Sequence, residues 1–123
     1  MALLDWYCEN FKLFTDELED EKPYDQSYLL ALIAPRLLCV GSAELDRGAD
    51  PVSEFLTSLW ASQAWALFGL KGLEAPDRLP APGDALFEGS VGYQLRAGKH
   101  YLSREDWNRY IQFLNKKLAR SAV

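Results

Sequence analysis

The sequence predicts an α/β fold: a parallel sheet with helices on both faces, forming part of a larger domain. Three observations predict it. Helical and strand-like segments alternate along the chain, and this order builds parallel sheets. Arg36 to Ala43, RLLCVGSA, is a continuous apolar run bounded by turn residues, as in a strand buried on both faces. Only one further strand is legible, Val91 to Arg96, and two parallel strands need neighbours on both sides.

Residues 1–14 begin with apolar and aromatic residues and no capping signal, as if entering the middle of a structure. The acidic run Asp16-Glu17-Leu18-Glu19-Asp20-Glu21 reads as a solvated loop or helix face, because the alternating ligands and central glycine of a calcium loop are missing. Gln26 to Ala34 is apolar on nearly every side and reads as a short buried helix stopped by Pro35. The strand Arg36–Ala43 follows, then an acidic turn from Glu44 to Asp50. Asp50 before Pro51 is a helix start: a capping carboxylate, then proline at the first helical position. That helix is expected to run to Phe68, with Phe55, Leu59, Trp60 and Leu67 at helical spacing, and to end at Gly69 and Gly72. Residues 73–89 hold three prolines and two glycines and read as a long loop, of a length that usually lines a site. Val91 to Arg96 is the closing strand and Ala97-Gly98-Lys99 a turn. From Ser103, with Asp106 completing an approximate capping box, a last helix carries Trp107, Ile111, Leu114 and Leu118 on one stripe.

With 123 residues the chain holds one domain unit, 1–123, and not two. A net charge of -5 argues against nucleic acid, whose phosphates need a basic surface. No apolar run is long enough to span a bilayer. Met1 to Phe11 lacks the basic start, apolar centre and cleavage site of a signal peptide, so the chain as written is expected in the cytosol. One histidine and two distant cysteines offer no zinc site. Cys8 and Cys39 fit either one disulfide or two thiols, with Cys39 inside an apolar run.

The chemistry lies at the ends of the two strands. The first runs into Glu44 and Asp46, and the second into His100. In an open α/β sheet, carboxyl ends face one crevice. A carboxylate there holds one imidazole nitrogen and fixes its tautomer, while the other nitrogen takes a proton from a nucleophile. Asp46, in the turn beyond the strand, is the first choice of acid and Glu44 the second. Asp50 reads as a helix cap.

The segments DWYCENF at 5–11, PYDQSYLLALIAPRLL at 23–38, SAELDRGADPVSEF at 42–55, GLKGL at 69–73, VGYQLRAGKH at 91–100 and EDW at 105–107 extend this pattern. Together they resemble the carboxyl-terminal part of the glucuronoyl esterase-like carbohydrate esterases, a branch of the α/β-hydrolases. The resemblance implies a serine, histidine and acid that cleave carbohydrate esters without a cofactor, in a parent family that is often secreted. His100 would be the base and Asp46 the acid. Some members place an acid after the preceding strand, where Glu9 is the nearby candidate. Gly48 stands where the family often has tryptophan, and Tyr101 where an aspartate commonly follows the histidine.

The family's G-x-S-x-G-like elbow is absent from the sequence. Ser42, in VGSAE, lacks the second glycine and precedes no immediate helix. Cys8 lacks the helix start or basic neighbours that would activate a thiol. The expectation is therefore the acid-and-histidine half of a serine ester hydrolase, inactive alone, whose partner would be a serine-bearing amino-terminal half. The competing reading is a non-catalytic remnant that binds a partner or self-associates through an open sheet edge.

Overall fold

A computed structural model describes residues 9–10 and 25–120. Most of the amino-terminal segment, Cys8 and the acidic run at 16–21 lie outside the described residues. In chain order the elements are α1 (Gln26–Ala31), β1 (Leu38–Ala43), α2 (Pro51–Ala61), α3 (Gln63–Ala66), β2 (Ala85–Leu86), β3 (Val91–Arg96) and α4 (Arg104–Arg120).

The sheet is mixed, with strand order β1-β3-β2. β1 and β3 run parallel in a register that pairs Leu38 with Val91 and Ala43 with Arg96. β2 pairs antiparallel with β3, Ala85 opposite Gln94 and Leu86 opposite Tyr93. This short strand lies inside the stretch expected to be loop throughout. Two residues carry no alternation to read, and they pair along the second edge of β3.

Among the described residues the strand paired on both sides is β3. Every residue of β3 is buried, whereas Leu38 to Gly41 of β1 are only half-buried, since among the described residues β1 pairs on one side alone. Alternation along β3 divides the core. Val91, Tyr93 and Leu95 face α2 and α3, where Phe55, Ala61, Trp65 and Leu73 complete the main cluster. Phe55 meets Tyr93 edge-on at 5.2 Å, and the Trp65 indole N–H donates to the Arg36 carbonyl at 2.9 Å. On the other face Gly92 lies under the Phe113 ring, and Arg96 meets Asp106. Helix α4 thus crosses the sheet against the strand direction.

Three expectations about helix faces need correction. Helix α1 stops at Ala31, followed by turns to Arg36, and exposes Tyr28, Leu29 and Leu32 while Leu30 and Ile33 pack inward. The helix from Pro51 breaks at Ser62, whose hydroxyl donates to the Ser58 carbonyl at 2.8 Å and accepts the Leu73 N–H at 2.7 Å. Its buried face is Phe55, Ser58, Ala61 and Trp65, so Trp60 and Leu67 point outward. On α4 the buried positions are Asp106 and Phe113, with Tyr110 between them half-buried, while Trp107, Ile111, Leu114 and Leu118 are exposed. The apolar stripe of that helix lies beside its packed face and not on it.

The Asp50 cap forms as expected: its carboxylate accepts the Ser53 N–H at 3.3 Å and hydroxyl at 2.6 Å, with Asp50 itself at φ 54. The main chain at Lys71 and Gly72 accepts the N–H groups of Ser90 and Val91. A Cβ on Gly89 would fall 1.6 Å from the Gly72 carbonyl oxygen, so glycine is required there by backbone approach. Gly89→Ala is expected to destabilise the fold by about 1–3 kcal/mol or more, measured as a lower urea midpoint. An unchanged midpoint would contradict this packing. Among the described residues no helix is long and apolar enough to cross a membrane.

Candidate active site

The parallel ladder between β1 and β3 continues past both strands. The Glu44 N–H donates to the Arg96 carbonyl and the Leu45 N–H to the Gly98 carbonyl, each at 2.9 Å. The two exit loops are therefore tied side by side at the carboxyl end of the sheet. One chain turns back at Asp46, whose N–H reaches the Ala43 carbonyl and whose own carbonyl accepts from Ala49 and Asp50. The other turns at Gly98, with φ +102, a conformation that glycine adopts without penalty.

Side by side, these turns bring together two residues 54 positions apart: His100 Nδ1 lies 2.6 Å from Asp46 Oδ2. Where a carboxylate faces an imidazole nitrogen at this distance, it can only accept, so a hydrogen bond here calls for the proton on Nδ1. The Asp46 side chain is 16% exposed and the imidazole 83%, leaving the far edge of the ring open. Both line a cleft of about 270 Å³ that also includes Ser42, Glu54, Tyr101 and Tyr110.

The other sequence candidates fall elsewhere. Glu44 is exposed and, among the described residues, has no side-chain hydrogen bond or ion pair. Glu9 is exposed and does not line the cleft. Ser42 is buried within β1, and its hydroxyl donates to Glu54 Oε2 at 2.6 Å. Cys39 is half-buried, and burial pushes its thiol up to about 12. Gly48 is exposed on the turn after Asp46. Among the described residues no three His, Cys, Asp or Glu side chains cluster in a way that could hold a metal ion.

Two features of the site escaped sequence reasoning. One is Glu54, reached from α2. Burial raises its carboxyl above the ordinary glutamate value. The Ser42 hydrogen bond opposes that rise, the charges of Asp46 and Asp50 add to it, and His100 opposes it. A carboxyl with a raised folded value binds its proton more tightly folded than unfolded. Its stabilising contribution is complete below the ordinary value of about 4.3 and is lost as pH rises through the folded one. The urea midpoint of the native chain should therefore fall from about pH 4 toward neutrality by more than that of Glu54→Gln. Parallel curves for the two proteins would contradict the assignment.

The other is the ion pair of Arg96 and Asp106, both buried, with Arg96 Nε 3.0 Å and 2.9 Å from the two carboxylate oxygens. An arginine closing a strand, with aspartate early in the next helix, was the available signal. Asp106 also accepts the Ser103 N–H and hydroxyl, each at 2.7 Å, and the Ser103 hydroxyl accepts the Asp106 N–H at 3.2 Å. The expected capping box thus forms and is built into the ion pair.

No family model matches the sequence. The chain is 41% identical over 108 residues to carbohydrate esterase MZ0003, from an unknown prokaryotic organism; the match takes in 88% of this chain and 24% of that protein. Among solved structures, a promiscuous CE15 esterase from a marine bacterial metagenome superposes with a TM-score of 0.80 at 39% identity, covering 88% of this chain and 26% of the esterase. The glucuronoyl esterase from Solibacter usitatus gives a TM-score of 0.76 at 43% identity, covering 88% and 27%. The chain spans about a quarter of the length of these relatives. It is a homologue of the CE15 glucuronoyl esterases, matching one part of their α/β-hydrolase fold.

Proposed function

We propose that this chain supplies the acid and histidine of a serine carboxylic ester hydrolase acting on carbohydrate esters. The observation that carries the reading is the 2.6 Å contact of Asp46 with His100 at the carboxyl end of two parallel strands. With Nδ1–H held by Asp46, Nε2 is free to take the proton of an attacking serine and return it to the departing alcohol. Asp46 fixes the tautomer and stabilises the imidazolium formed in between. The nucleophile and its oxyanion hole come from a segment outside these 123 residues, since Ser42 is buried against Glu54 and no G-x-S-x-G occurs. Carbohydrate esters are the substrate class that similarity to the esterases favours.

A second reading, a binding or self-associating module, draws on the exposed stripe Trp107, Ile111, Leu114 and Leu118 and on the side of β1 that pairs with no strand among the described residues. Two measurements separate the readings. On activated acetate or methyl glucuronate esters the purified chain alone should show no turnover above background. With a serine-bearing segment of a homologue added, turnover should appear and be lost in His100→Ala. Failure to gain activity, together with concentration-dependent oligomers in sedimentation, would favour the module. Turnover by the chain alone that needs His100 but survives replacement of every serine would instead make Cys8 the nucleophile.

A further inference from the structure

Arg96 closes β3, and the proton transfer assigned to Asp46 and His100 makes no use of it. Its guanidinium is buried, a placement that costs several kcal/mol unless every donor finds a partner. The partners are specific. Nε serves Asp106, Nη1 donates to the Ala97 carbonyl at 3.0 Å, and Nη2 donates to the Lys99 carbonyl at 2.9 Å and to the Tyr101 carbonyl. The Tyr101 ring covers the guanidinium face, 4.1 Å from ring centroid to Arg96 Cζ. A Cβ on Gly98 would come within 3.2 Å of Nη1, so the loop is wrapped closely around the group.

The three carbonyls belong to the residues that bracket His100 in sequence. His100 itself is largely exposed, so packing of its own ring does little to fix its place. The loop is otherwise tied to the sheet by the Leu45 N–H to the Gly98 carbonyl. What gives residues 97–101 one shape is therefore the arginine fork beneath them. Asp106 anchors that fork and, through Ser103, the start of α4.

We propose that Arg96 is a positioning residue for the Asp46–His100 pair: by holding the carbonyls of Ala97, Lys99 and Tyr101 it sets the loop that presents Nδ1 to Asp46. The proposal rests on reading that pair as the functional couple of the site. Lysine could not replace the arginine, because one ammonium cannot reach a carboxylate and three carbonyls spread along a planar fork.

The test reads the imidazole tautomer of the ¹⁵N-labelled full chain by NMR, with the ring neutral. In the native chain the Nδ1–H tautomer should dominate, and Asp46→Ala should shift it to Nε2–H, the form free imidazole favours. Arg96→Lys should shift it the same way while a cooperative melt shows the chain still folded. Where that variant does not fold, the double variant Arg96→Met with Asp106→Leu removes the fork without leaving a buried charge, and it should also read Nε2–H. Nδ1–H retained in the folded variant would overturn the positioning role and leave the pair standing. Nε2–H already dominant in the native chain would overturn the pair itself, and the proposal with it.

Discussion

An Asp106→Ala variant is expected to lose about 3–5 kcal/mol of stability, read from urea denaturation at neutral pH, because it leaves the buried Arg96 guanidinium without its carboxylate. A loss below about 1 kcal/mol would mean that water or another group replaces the partner. The pH dependence gives a second check. Burial alone would raise the Asp106 carboxyl, but the Ser103 hydroxyl and N–H and the Arg96 guanidinium outweigh it and hold the carboxyl below the ordinary aspartate value. Such a group adds stability that is complete above about pH 3.9 and is lost as pH falls through the folded value. The native chain should therefore lose stability in acid more steeply than Asp106→Asn. This runs opposite to Glu54, whose contribution fades on the alkaline side.

With a serine segment supplied, Asp46→Asn is expected to lower kcat by about three to four orders of magnitude. An asparagine amide can donate toward Nδ1, which favours the tautomer whose Nε2 already carries a proton and cannot act as base. Glu44→Gln should change little, since Glu44 is exposed and clear of the imidazole. Equal losses in the two variants would remove Asp46 from the role of acid.

The pair was legible in the sequence because each member follows a strand, and parallel strands bring their carboxyl ends together whatever the separation along the chain. Other features were hidden for physical reasons. Helical periodicity on α4 allows two adjacent stripes, and the more apolar one is not the packed face. The packed one contains Asp106, which is buried only because Arg96 and Ser103 satisfy it, a tertiary fact that composition does not signal. The same partnership lets β3 end in a buried arginine although it pairs on both sides, while among the described residues the more apolar β1 pairs on one side alone. Helical spacing groups Trp60 with Phe55 and Leu59, yet Trp60 is exposed and the buried position is Ser58, whose hydroxyl is satisfied by the Glu54 carbonyl one turn back at 2.8 Å. In β2 two residues are too few to show a period.

The central claim, that Asp46 and His100 act as the acid and base of an ester hydrolase, is tested most directly by a segment swap. In the glucuronoyl esterase from Solibacter usitatus, 43% identical over the shared region, this chain would replace the matching segment. A glucuronoyl ester is the substrate, and chimaera and His100→Ala chimaera are compared with the parent enzyme. The account predicts that the chimaera hydrolyses the ester and that His100→Ala abolishes turnover without altering the melt. A folded chimaera that is inert, or one as active without His100 as with it, would contradict the account.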